Sequence, residues 1–423
     1  MQKILLLLSI CLLCLTGLTA CHDYNENDVK TRQKSRTILI YMAGENNLAS
    51  YGFLRDDLKE IINGSKYLTN NQRLFVFVDS LNPSNRASYN PYIIEVHGGK
   101  STLVHQYDTE FYSSNPTHFQ EIIQRVVSMA PADSYGLVLW GHASGWAVSP
   151  DTIPASAIAK RAYGQDTGTD GKLKGSNWMN ITQMAKAMEG LPKMEFIFAD
   201  CCNMMCAEVG YELRNATNYL IGSPAEIPGD GAPYDLIIPQ LYKNDSELYR
   251  NVIDIYDDYY EKENFSYEPV PLSVIDTRYI SLLAEATQKV LDRFIDGYPQ
   301  YPAYPDMSVD SIVHYWHYEA PIMYDMRAFI KANVSNDDFQ QWDKAFQDAV
   351  PYYRMSMEWT TTSSPQRWAF RTFSPDISRY GCVSMFIPQN TSIYFNGTFR
   401  YNRTYNYYGW NRIIDWSRFG WTD

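Results

Sequence analysis

The 423-residue chain contains no run of basic residues. Its 36 lysines and arginines are outnumbered by 48 aspartates and glutamates, for a formal net charge of −12. A surface that reads nucleic acid gathers basic excess on one face, so this composition argues against a nucleic-acid partner. The mostly apolar stretch Ile4 to Leu15 is about twelve residues, short of the roughly twenty that a helical membrane span needs. Cysteine is scarce, seven in all. Once Cys11, Cys14 and Cys21 are set aside, Cys201, Cys202, Cys206 and Cys382 remain, with the first three crowded together. Such crowding is no disulfide framework for a chain of this size. With His142, the Cys202 and Cys206 pair matches no standard zinc spacing, so no metal is read there. A serine-hydrolase elbow is also missing: Gly141-His142-Ala143-Ser144-Gly145 carries its serine in the wrong place.

What is present begins with an export signal. Lys3 and the apolar run behind it have the layout of a secretory leader. The following Leu18-Thr19-Ala20-Cys21 resembles a lipobox, so residues 1–20 read as a lipoprotein signal peptide and Cys21 as the lipidated residue. Residues 21–36 are a polar, acidic tether with nothing to fold around. The chain is therefore expected in the cell envelope, lipid-anchored to a membrane outside the cytoplasm, at the outer membrane or cell surface. Its 34 tyrosines and 10 tryptophans suit an exported protein with wet aromatic surfaces.

Buried strands and amphipathic helices then alternate. Thr37–Ala43, Leu74–Asp79, Tyr92–Val96, Gly136–Trp140, Met194–Asp200 and Tyr219–Gly222 are short apolar runs bounded by turn residues. Between them, Leu48–Ile62, Phe119–Met129, Ile181–Met188 and Met204–Arg214 have helical spacing. Residues 147–177 read as a long loop. Beyond residue 245 the pattern loosens, with helices predicted over Leu248–Glu263 and Ser281–Phe294. An extended piece at Val270–Ile275 and a strand at Gly381–Pro388 complete it. The alternation predicts βαβ units and a mostly parallel sheet covered on both faces. The expected division is an α/β domain at 37–245 and a C-terminal α/β extension at 246–423.

In such sheets the carboxyl ends of the strands carry the ligand site. His142 follows one strand and Cys202 follows another. A reactive thiol needs a nearby base or a helix N-terminus, plus N–H donors for an oxyanion. A helix opening near Met204 is expected to supply part of that field at Cys202.

Four ordered motifs then resemble the clostripain family of cysteine peptidases. They are Tyr41-Met42-Ala43-Gly44-Glu45-Asn46-Asn47-Leu48, Leu139-Trp140-Gly141-His142-Ala143-Ser144-Gly145-Trp146, Asp200-Cys201-Cys202-Asn203-Met204 with Glu208 to Leu213 behind it, and Glu226-Ile227-Pro228-Gly229-Asp230-Gly231. The resemblance covers roughly Thr37 to Ala232, with weaker echoes at Leu272–Asp276 and Gly381–Pro388. It implies a caspase-like three-layer α/β/α sandwich and a catalytic dyad of His142 and Cys202. It also implies an oxyanion hole from the N–H groups of Ala143 and Cys202, and protein or peptide substrates with Arg or Lys at P1 held by Asp200 and Asp230. Calcium dependence occurs in the family, and the acidic stretch Asp166-Thr167-Gly168-Thr169-Asp170-Gly171 is the place to test for it. No other cofactor is implied. Processing in the interval between His142 and Cys202 is a family property too, placing self-cleavage after Lys160 or Arg161, ahead of Lys172 and Lys174. Three departures stand out. Ala143 replaces a usual glycine, where a left-handed backbone would cost roughly 1–2 kcal/mol, and Cys201 and Asn203 replace a usual Ala and Leu. They leave open a second reading, a catalytically silent surface lipoprotein that binds glycan or protein through an aromatic-rich face.

Overall fold

A computed structural model describes residues 35–147, 163–167, 177–262, 270–297, 312–318, 320–356, 358–361, 369–372, 377–388 and 405–419. Cys21, Lys160, Arg161, residues 168–171, Lys172 and Lys174 lie outside the described residues. Residues 35–423 form one unit. Its strands are β1 (Arg36–Ala43), β2 (Gln72–Asp79), β3 (Tyr92–His97), β4 (Lys100–Gln106), β5 (Ser134–Gly141), β6 (Tyr163–Asp166) and β7 (Asn177–Met179). They continue with β8 (Met194–Asp200), β9 (Thr217–Gly222), β10 (Leu272–Asp276), β11 (His314–Tyr318), β12 (Ala320–Asp325) and β13 (Tyr352–Arg354).

Nine of these join one sheet in the order β13-β10-β9-β8-β5-β1-β2-β3-β4. The core strands β2, β1, β5, β8 and β9 are parallel. The margins β3, β4, β10 and β13 run antiparallel. Alternation along β1 shows why the sheet is covered twice. Leu39, Tyr41 and Ala43 enter one core, with Phe119, Ile122 and Val126 of the helix Pro116–Met129. Ile38, Ile40 and Met42 enter the other, with Leu54 and Ile61 of the helix Phe53–Gly64. Burying Ile38 to Met42 contributes on the order of 10 kcal/mol of transfer free energy. The result is the expected three-layer α/β/α sandwich. The sheet does not stop at residue 245, because β10 and β13 extend it past β9.

Three local expectations are corrected. The segment 147–177 is not all loop: β6 pairs with β7, and Tyr163 bridges to Ala143. The helix expected from Met204 runs from Ala207 to Glu212, because residues 203–206 turn back along the sheet edge, with Asn203 N–H on Ala225 O and Met205 N–H on Ser223 O. The strand expected over Gly381–Pro388 shrinks to Ser384–Met385, paired with β12. Among the described residues, no helix is long and apolar enough to cross a membrane.

Candidate active site

Register brings the two candidate groups level. On the neighbouring parallel strands β5 and β8, Trp140 is the partner of Asp200. His142 and Cys202 each lie two residues further on, just past the ends of these adjacent strands at the same sheet edge. The loops behind them are locked by a close approach. Gly145 has φ +55°, and a Cβ there would sit 2.2 Å from Asn203 O and 2.6 Å from the Cys206 sulfur. No other residue fits without moving one loop off the other.

His142 is oriented from β1. Asn46 caps the short helix Asn47–Tyr51 by accepting from Leu48 N–H at 2.9 Å, and its amide donates to Ala43 O at 3.0 Å. That turn brings Asn47 Oδ1 to 2.6 Å from His142 Nε2. An oxygen acceptor there assigns the ring proton to Nε2 and leaves Nδ1 as the basic nitrogen. Sequence reading had Asn47 within a motif but gave it no task; only the fold shows which ring it holds.

Cys202 is half-buried, whereas Cys201 and Cys206 are buried, and all four described cysteines are free thiols. Burial first, then Glu226 and Asp200, push the Cys202 thiol up to about 12, against the pull of the N–H groups of Ile227 and of Cys202 itself. The helix field expected to lower it is displaced by four residues, since the cap of that helix is Cys206. In this conformation the thiol is therefore protonated. Glu226, itself buried, is the neighbour that sequence reading did not credit.

The expected penalty at Ala143 does not arise. Positive φ values occur at Gly141 and Gly145 on either side, and Ala143 is not among the residues with positive φ. Alanine therefore sits there unstrained, and the weight that Ala143 lent to a silent scaffold goes with it.

The acidic residues form a nest beneath this edge. Asp200 is only 4% exposed and accepts from Tyr234 OH at 2.7 Å, Ala232 N–H at 3.2 Å and Tyr256 OH at 3.3 Å. Asp230 is instead exposed, on the loop above. The group that sequence reading missed is Asp57, a charge on an amphipathic helix that looks like ordinary surface. It is 3% exposed and accepts from Trp140 Nε1–H at 2.5 Å. Asp57 and Asp200 converge at Gly231, where a Cβ would lie 2.9 Å from Asp200 Oδ2 and 3.3 Å from Asp57 Oδ2. Burial, then Asp200, holds Asp57 up to about 9; burial raises Asp200 to about 6, with its three donors pulling down. Near neutral pH, Asp57 is thus a neutral acid and Asp200 carries the charge.

The region beyond 245 braces the Cys202 loop. Ser384 N–H donates to Met205 O at 2.9 Å, and Phe386 N–H donates to buried Glu208 at 2.8 Å. The Cys-x5-Glu spacing thus has a mechanical reason: Glu208 ties the loop to a distant strand.

Comparison with known proteins agrees with this geometry. The clostripain-family profile matches residues 40–421. Among solved structures, a secreted C11 cysteine protease from Bacteroides thetaiotaomicron, in complex with an irreversible peptide inhibitor, is 27% identical with a TM-score of 0.72, covering 90% of this chain and 99% of its own. An inactive zymogen C11 protease from Parabacteroides distasonis shares the fold at 22% identity and a TM-score of 0.70, covering 90% and 98%. No curated protein sequence matches the chain significantly. A thiol and an imidazole level on adjacent strands, within a family match spanning nearly the whole described fold, lead to one conclusion: the chain belongs to the clostripain family and is a cysteine endopeptidase.

Proposed function

We propose that the enzyme is exported, held to a membrane through lipidated Cys21, and cleaves after Arg or Lys with Cys202 as nucleophile and His142 as base. The observation that supports this reading is the Trp140–Asp200 register, which ends the strands before His142 and Cys202 close together at one sheet edge. His142 Nδ1 takes the thiol proton while Asn47 holds Nε2–H. The Cys202 sulfur adds to the scissile carbonyl, whose oxyanion faces the N–H groups of Ala143 and Cys202. His142 returns the proton to the leaving amine, and water then hydrolyses the thioester. A basic P1 side chain is drawn to Asp200, with Asp57 beneath and Asp230 at the rim. A cation arriving there favours ionisation of Asp57, so binding releases a proton into solution.

The raised thiol supports a resting state that has yet to be activated. Cleavage after Lys160 or Arg161, in the segment between His142 and β6, is the proposed trigger. Wild type and Cys202→Ala should be incubated with a thiol-reactive Arg or Lys probe and followed by intact mass. Labelling at Cys202, and two chains splitting near residue 161 only in wild type, are expected. Labelling at Cys201, or a substrate profile dominated by Asp or apolar P1 residues, would overturn the reading.

A further inference from the structure

The β6–β7 hairpin carries an aromatic ring to which the proposed mechanism gives no task. Trp178 is the middle residue of β7, and its ring centroid lies 6.4 Å from that of the His142 imidazole, with the two planes inclined by 41°. Strand alternation sends it there. Met179, the next residue, is fully buried in the core that also holds Tyr163 and Met184. Trp178 therefore stands on the opposite, outward side of the strand, where it is half-buried. Indole is the largest apolar side chain, and here part of it is left in water beside the base of the dyad.

The backbone on both sides of this ring is fixed relative to His142. Tyr163 pairs with Met179 and bridges to Ala143. Its hydroxyl donates to Tyr41 O at 3.2 Å and to Trp140 O at 3.3 Å, and Gly164 N–H donates to His142 O at 2.9 Å. Behind Trp178, Asn180 caps the helix Ile181–Ala187, whose Ile181 and Met184 are fully buried. A surface held this firmly can receive a group without first being ordered.

We infer that Trp178 is the wall of the S1′ subsite and makes the enzyme favour a bulky apolar residue directly after the scissile bond. The inference rests on the dyad proposed above, and the chemistry of that dyad sets the direction. The leaving nitrogen belongs to the P1′ residue and takes its proton from His142, so it must come within about 3 Å of the imidazole. The P1′ side chain begins only about 2.5 Å beyond that nitrogen, within reach of an indole centred 6.4 Å from the imidazole. The P1 side chain is met by a different element, since Asp200 ends β8 whereas the hairpin is bonded to the segment after β5. A large apolar P1′ side chain covers the indole and takes both surfaces out of water; glycine leaves the ring wet.

Partitioning of the acyl-enzyme isolates this subsite, because every competitor meets the same thioester. Wild type is given one Arg or Lys ester and offered glycinamide, leucinamide, phenylalaninamide or argininamide in competition with water. The amine nitrogen bonds to the thioester carbonyl, its proton passes to His142, and the C–S bond breaks to leave the thiolate and a new peptide bond. Products are counted by mass spectrometry. Leucinamide and phenylalaninamide should capture about tenfold more acyl group than glycinamide. Trp178→Ala should bring that preference to within about twofold, and Trp178→Phe to an intermediate value. Equal capture of apolar amides and glycinamide, a preference for argininamide, or a preference that survives in the variants would each overturn the inference. A Trp178 that only braced His142 would give the last of these outcomes, with all products slowed alike. If the alanine variant does not fold, the wild-type profile and Trp178→Phe decide. The same wild-type sample is treated with a thiol-reactive Arg or Lys probe, which has no P1′ residue. Labelling of Cys202 without an amide preference sinks this inference alone, whereas an unlabelled Cys202 sinks the proposed dyad and this inference with it.

Discussion

Two acidic nests, one at Asp200 and Asp57 and one at Asp79 and Asp166, sit at one edge of one sheet, on opposite faces, and differ in what surrounds the carboxylates. Around Asp200 and Asp57 the fold supplies hydroxyls, an indole N–H and a backbone N–H. Around Asp79 it supplies mostly further carboxylates, with Ser113 as a donor. A nest lined with neutral donors can keep its charge while empty and give up those bonds when a cation arrives, which suits a substrate that comes and goes. In the nest around Asp79, burial and then Asp166 hold the carboxyl well above its ordinary range, so it keeps a proton in place of a charge. Counting acidic residues would have treated the two alike; the donors around them separate their tasks.

Three substitutions probe that contrast, in order of expected effect. Asp200→Asn removes the ionised group proposed to meet a basic P1 side chain. Losing one partner of a buried charge pair costs about 3–5 kcal/mol, so kcat/KM for Arg and Lys peptides should fall by roughly two to four orders of magnitude. Steady-state kinetics on matched Arg and neutral-P1 peptides checks it, and an equal fall on both would move the specificity site elsewhere.

Asp57→Asn changes the pH profile of stability. Asp57 is held up to about 9 against an ordinary 3.8, so the folded chain keeps a proton that the unfolded chain releases. Its stabilising contribution is fully present below about pH 4 and is lost as pH rises towards 9. The asparagine variant cannot ionise yet still accepts from Trp140, so its stability should fall less than wild type over that window. Denaturant melts at pH 5, 7 and 9 give the slopes, and parallel slopes would remove Asp57 from the shared-proton account.

Asp79→Asn has the smallest effect. Asp79 is held protonated among other acids, so an amide of the same shape should leave the melting midpoint at neutral pH within the equivalent of about 1 kcal/mol. A marked drop in denaturant melts would mean that Asp79 carries a charge in the fold, and the contrast between the nests would close.

Much of the fold was legible because strands buried on two faces must be apolar throughout. That constraint wrote β1, β2, β5, β8 and β9 into the chain as short hydrophobic runs. β4 escaped notice because Lys100 to Gln106 is largely exposed and carries no such run. β6 and β7 escaped because they are short and lie among Gly, Ser, Thr and Asp. The helix start at Ala207 rather than Met204 was invisible for another reason. Residues 203–206 owe their course to Ala225 and Ser223, distant partners that no local pattern encodes.

At the site, the sequence by itself named the candidate groups: a thiol, an imidazole and the motif acids. Residue type fixes what a group can do, and motif order fixes the family. What the tertiary structure alone decided is who stands beside whom. It set His142 level with Cys202, gave His142 its Asn47 acceptor, spared Ala143 a left-handed backbone, and took Asp57 out of solvent to lie against Trp140. These follow from strand register and from the close contact of loops far apart in the chain. The free energy of a charge or a proton depends on its neighbours and its distance from water, and both are properties of the folded chain.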